Sequence, residues 1–143
     1  MRVTADVEIT RPAPEVFAYL ADFENNPKWQ KGMQTCTFTS DPPLRVGSTF
    51  DQVATFRRRE IRSSFVVTAL DPGRSITIGT TVSPFPIRVT RSVTPIDGGA
   101  GVHAVVEGDA GGFMRLAEPL LKLMVRRSVR NDYRNLKALL ETG

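Results

Sequence analysis

The clearest chemical suggestion in this chain is a single arginine. Ile87, Val89, Arg91 and Val93 occupy alternate positions, so a regular strand points the Arg91 guanidinium to the same side as its apolar neighbours. A charge on such a face must be paired or used, because burying it alone is very costly. In use it would hold a carboxylate, an enolate or a phenolate; otherwise it lies at the open end of a sheet or pairs with Glu or Asp. Ser63 shares a face with Ile61, Phe65 and Val67, and Gln52 with Phe50, Ala54 and Phe56. Each would hydrogen-bond a ligand oxygen inside an apolar pocket, or be solvated near its rim. Trp29, Met33, Phe113 and Met124, with Phe17, would supply apolar walls or ordinary core.

Other chemistries are poorly supplied. One histidine, one cysteine and no Gly-x-Ser-x-Gly turn leave nothing resembling a nucleophilic triad. Gly98-Gly99-Ala100-Gly101 has no Lys-Ser/Thr at phosphate-loop spacing and reads as a hairpin turn. His103 alternates against Val102, Ala104 and Val106, which puts it on the outer face. A register slip of one residue would turn it inward as a general base. It has no second metal-type ligand at useful spacing, so no metal and no cofactor are expected. Tyr19 and Tyr133 are the acid–base groups that could accompany Arg91, and both also fit a core, so the catalytic residues stay unknown.

With 143 residues, 41% hydrophobic and 24% charged, the chain suits one globular domain over residues 1–143. No apolar run is long enough to span a membrane. The alternating start, Met1 to Ile9, lacks the continuous apolar core of a secretory signal, and Cys36 alone fits a reducing cytoplasm. Net charge is +4. Lys122, Arg126, Arg130, Arg134 and Lys137 form a basic stripe on one helix face, with Arg57-Arg58-Arg59 at a hairpin tip. No aromatic residues interleave with the stripe, which argues against nucleic acid and for a solvated helix face.

The elements that must position these groups follow from periodicity. Val3, Ala5, Val7 and Ile9 mark a first strand, and Val16, Phe17, Leu20 and Phe23 a short amphipathic helix opened by Pro12, Pro14 and Glu15. Asn25, Asn26 and Pro27 restart a second turn presenting Trp29. Strands are predicted near residues 33–41, 47–57, 60–70, 74–82, 86–95 and 101–109, separated by Pro, Gly and Asp clusters, which gives a seven-stranded antiparallel meander. Phe113 to Leu140 predicts one helix of roughly 40 Å, imperfect near Pro119. Its apolar stripe runs through Phe113, Leu116, Ala117, Leu120 and Met124, then drifts to Val125, Val129, Tyr133, Leu136 and Leu140.

The segment Arg11 to Trp29 resembles the opening of the START-like (SRPBCC) superfamily, the polyketide cyclase/dehydrase and lipid-transport proteins. Thr94-Pro95-Ile96-Asp97-Gly98-Gly99 is similar to that family's turn before its last strand. Leu116 to Leu121 and Asp132 to Lys137 resemble its terminal helix. The resemblance covers nearly the whole chain. It implies an α+β helix-grip fold, with a curved seven-stranded antiparallel sheet around a long C-terminal helix and two short helices closing one end. It further implies a cavity between sheet and helix that takes a small hydrophobic or amphipathic molecule, in a monomer or homodimer. Two alternatives stand beside that reading. One is a cyclase or dehydratase acting on a polyketide-like or aromatic substrate, with Arg91 stabilising an enolate. The other is an interaction or regulatory module using the basic helix face.

Overall fold

The alternating segments assemble into one antiparallel sheet in the computed structural model, which describes residues 1–56, 58–108 and 118–142. Its strands are β1 (Arg2–Ile9), β2 (Met33–Phe38), β3 (Thr49–Phe56), β4 (Arg59–Asp71), β5 (Ser75–Val82), β6 (Ile87–Ile96) and β7 (Gly99–Gly108). They lie in the order β1-β7-β6-β5-β4-β3-β2, so every consecutive pair from β2 onward is a hairpin and β1 closes against β7. This is the α+β helix-grip arrangement expected, with strand ends within a few residues of those predicted.

Between β1 and β2 lie α1 (Ala13–Ala21) and a 3₁₀ helix (Phe23–Lys28). Pro12 precedes α1 with φ −57°, Pro14 stands in its first turn, and Glu15 faces the positive helix end. The helix buries Ala13, Val16, Phe17, Leu20 and Ala21. It stops at Asp22, whose carboxylate accepts the Glu24 N–H and starts the 3₁₀ turn. That turn inserts Phe23 into the core, parallel to Phe50 at 4.6 Å, and Phe50 stacks on Phe65 at 5.0 Å.

Helix α2 (Glu118–Thr142) packs along the sheet, most extensively against β1. Phe113, Leu116 and Ala117, where the predicted helix begins, lie outside the described residues. The inward row differs from the expected stripe at its start. Leu121, Val125 and Val129 face the sheet, while Leu120 is 61% exposed, because adjacent helical residues point about 100° apart.

Both sheet edges are covered, which blunts their tendency to pair with other chains. Along β1, Arg130 Nε donates to the Thr4 carbonyl at 3.4 Å and Lys137 Nζ to the Glu8 carbonyl. Just beyond β1, Glu141 accepts from the Thr10 amide at 2.9 Å and its hydroxyl at 2.6 Å, and Arg11 Nε donates to the Leu140 carbonyl at 2.8 Å. Two members of the basic stripe therefore bind strand backbone. At the other edge the Phe38 amide donates to Glu24 Oε2 at 3.0 Å.

The β6–β7 turn needs both its glycines. Gly98 has φ +80°, and a Cβ on Gly99 would collide with the Ile9 carbonyl, where β1 passes close.

Candidate functional site

In β6, Arg91 is opposite Ile76 of β5 and Ala104 of β7, both fully buried, so the strand carries the guanidinium inward as its alternation predicts. The residue is 4% exposed. At that burial it does not lie at the open end of the sheet. Nη1 donates to the Leu20 carbonyl at 3.0 Å and to Asn26 Oδ1 at 3.2 Å. The guanidinium carbon lies 5.0 Å from the Phe23 ring centre and 4.9 Å from that of Trp29. No ion pair among the described residues includes it. Arg91 Nε and Trp29 Nε1 are buried donors with no acceptor among the described residues.

Arg91 forms part of the wall of a cavity of about 350 Å³ between the inner face of the sheet and α2. Strand residues Ile61, Phe65, Ile78, Ile87, Val89 and Val106 face helix residues Leu121, Val125 and Val129 across it. Asn26, Trp29, Gln30, Gln52, Arg91, Asp132 and Tyr133 are the residues with polar side-chain groups in its lining. Ile87 and Arg91 both line it and stand four positions apart on β6, so the cavity extends about 13 Å along that strand.

Of the residues singled out from sequence, the fold brings Arg91, Gln52, Trp29 and Met33 together in this wall. Ser63 is buried but lies outside it, its hydroxyl 3.0 Å from that of Ser83. Met124 is half-buried on α2, beside the cavity-facing row rather than in it. Phe113 lies outside the described residues. Phe17 packs into the core at 8% exposure. His103 keeps the outer-face register: it pairs with Asp6 across β1 and β7, with Nδ1 2.6 Å from the Asp6 carboxylate.

Among the polar wall residues, Asn26, Gln30 and Asp132 were not foreseen. Asn26 is 2% exposed in the 3₁₀ segment, where no periodicity could reveal its direction. Asp132 carried a readable signal: it follows Val125 by seven positions and Val129 by three, which puts a carboxylate on the apolar row. Burial pushes the Asp132 carboxyl up to about 6, against the Lys31 amide, which donates to Oδ1 at 3.2 Å, and the Lys31 charge. Tyr133 packs edge-on to Trp29, with ring centres 4.9 Å apart. Burial raises its phenol above the ordinary range, opposed by the charge and hydrogen bonding of the Arg91 guanidinium. Tyr19, the other acid–base candidate, has a buried hydroxyl without a partner among the described residues and is not part of the wall.

Chemically, the site joins an apolar chamber to the fixed positive charge of Arg91, a carboxyl raised to about 6 and a protonated phenol. No group of three His, Cys, Asp or Glu that could hold a metal occurs among the described residues. No helix among them is long and apolar enough to cross a membrane.

Residues 1–141 match the family described as polyketide cyclase / dehydrase and lipid transport. No curated protein sequence matches the chain. Among solved structures, the chain is similar to TTHA0849 from Thermus thermophilus, at 16% identity, 96% and 95% coverage of the two chains and a TM-score of 0.84. A START superfamily protein from Mycobacterium smegmatis is similar at 13% identity, 99% and 97% coverage and a TM-score of 0.82. The di-domain ARO/CYC protein BexL from the BE-7585A biosynthetic pathway is similar at 20% identity and a TM-score of 0.77, with 96% of this chain matching 45% of that one. At these identities the structural likeness bears on fold.

Proposed function

The chain belongs to the polyketide cyclase / dehydrase and lipid transport family, and from that premise we propose that it binds a small hydrophobic or amphipathic molecule between the sheet and α2. The supporting observation is the cavity itself: about 350 Å³, walled mainly by aliphatic and aromatic side chains, with Arg91 among its few polar lining residues. Of the residues that the sequence singles out, Arg91, Gln52, Trp29 and Met33 are the proposed contacts. Ser63 and Met124 would act through packing. The protein would work as one ligand-binding domain, a monomer or homodimer in the cytoplasm.

A gently purified sample examined by native mass spectrometry should carry added mass, or its melting temperature should rise with neutral apolar compounds. A ligand at a hundred times its Kd adds about 2.7 kcal/mol of stability. The absence of both added mass and thermal shift would remove this reading.

A specific observation favours a second reading, a cyclase or dehydratase. Asp132 and Tyr133 line the chamber that Arg91 lines, so an acid–base pair accompanies a group suited to enolate stabilisation. Recovery of only unchanged compound after incubation with polyketide-like substrates would count against it.

A further inference from the structure

Arg91 is a buried cation of the cavity wall, and among the described residues its charge has no counterpart. Its Nη1 donates to an amide oxygen and a backbone carbonyl, which accept hydrogen bonds but carry no net charge, and the Tyr133 phenol beside it is held protonated. Asp132, a carboxylate of the wall, accepts from the Lys31 amide at 3.2 Å and feels the Lys31 charge, which only partly offsets its burial. Two N–H donors at the Arg91 end, Arg91 Nε and Trp29 Nε1, are buried without acceptors among the described residues. An unsatisfied buried donor is destabilising, and an unpaired buried charge more so.

We infer that the Arg91–Trp29 end of the cavity is a headgroup subsite for the carboxylate of an amphipathic ligand whose tail extends toward Ile87 and Leu121. This rests on the cavity being the ligand site and specifies what it takes. A carboxylate is an acceptor-only anion, so it answers both deficits at once. The extent along β6, about 13 Å, suits a tail of about ten carbons. A featureless apolar chamber would have the opposite preference, because a neutral head group sheds its water more cheaply than an anion.

Trp29 is the sole tryptophan and lines the cavity, so its fluorescence reports occupancy. Titrated at pH 7.5, decanoate should bind at least tenfold more tightly than decanol. Arg91→Gln should abolish that preference and Arg91→Lys, which keeps the charge, should retain part of it. Trp29→Phe preserves the ring contacts with Arg91 and Tyr133 and removes only the indole donor. Followed by calorimetry, it should weaken decanoate several-fold and leave decanol unchanged, which keeps a test available should the Arg91 variants not fold. Decanol binding as well as decanoate, or equal losses in the Gln and Lys variants, would overturn the carboxylate subsite while leaving a ligand cavity in place. Binding of neither compound would overturn both.

Discussion

The Arg91 guanidinium carbon sits 4.9 Å from the centre of the Trp29 ring, so the residue that ends the α1–3₁₀ segment and the inward cation of β6 form one contact. Phe23 lies on the same guanidinium at 5.0 Å, and Asn26 accepts from it. The segment that announces the scaffold in the sequence is thereby fastened to the proposed binding end. Structure and site share these atoms, and their energetics cannot be separated by a single truncation.

Arg91→Ala should therefore destabilise the protein as well as weaken ligand binding. Asn26 is 2% exposed, and its side-chain oxygen and the Leu20 carbonyl would both lose a charge-assisted donor. Removing the buried charge offsets part of that loss. The expected net cost is on the order of 2 kcal/mol in urea unfolding. A variant as stable as the parent would mean that these bonds contribute little.

Asp132→Asn should stabilise the protein above neutrality. Burial raises the folded carboxyl to about 6 from 3.8, so the charged form is the disfavoured one in the folded state. The cost of that charge is full above about pH 6 and vanishes below the unfolded value. Asparagine keeps the acceptor for the Lys31 amide without the charge. Since Asp132 is half-buried, solvent screening trims the gain to on the order of 1 kcal/mol at pH 8. Unfolding curves of parent and variant should converge as pH falls below 3.8; a gap independent of pH would contradict the assignment.

The β6–β7 turn supplies a test of packing alone. Gly99→Ala places a methyl group against the Ile9 carbonyl, and backbone there cannot swing aside as a flexible side chain would. We expect a loss of about 2 kcal/mol or more, measured by thermal unfolding. An unchanged melting temperature would show that β1 can shift away from the turn.

These contacts mark where the sequence is legible and where it stops. The direction of Arg91 follows from Ile87, Val89 and Val93, because strand alternation is a local rule. Its partners are not local: Leu20 and Asn26 stand 71 and 65 positions away, and only the closed sheet brings them near. Ser63 illustrates the same boundary, since its inward face was readable but its bond to Ser83 was not. On α2 the predicted stripe included Val125 and Val129 but began at Leu120 instead of Leu121, and the inward Asp132 on the same row was passed over. The basic stripe read as solvated because its acceptors, the Thr4 and Glu8 carbonyls, belong to a distant strand edge.

That edge yields the last prediction. Glu141 receives hydrogen bonds from Lys137 and from the Thr10 hydroxyl and amide, which lower its carboxyl to about 2 from 4.5. A depressed folded value means the ion is the favoured form, so its contribution is full above about pH 4.5 and is lost as pH falls toward 2. Glu141→Gln removes the charge at every pH while keeping an acceptor oxygen. Its urea midpoint should lie below the parent's at pH 6, and the difference should close between pH 4.5 and 2. High salt should narrow the pH 6 difference, since the group is exposed and its ion pair with Lys137 is screened. Amide exchange at Thr10 should quicken in the variant, because that N–H donates to the carboxylate being replaced. Unchanged Thr10 protection would mean that β1 is held at this end by the Arg11 bond to the Leu140 carbonyl instead.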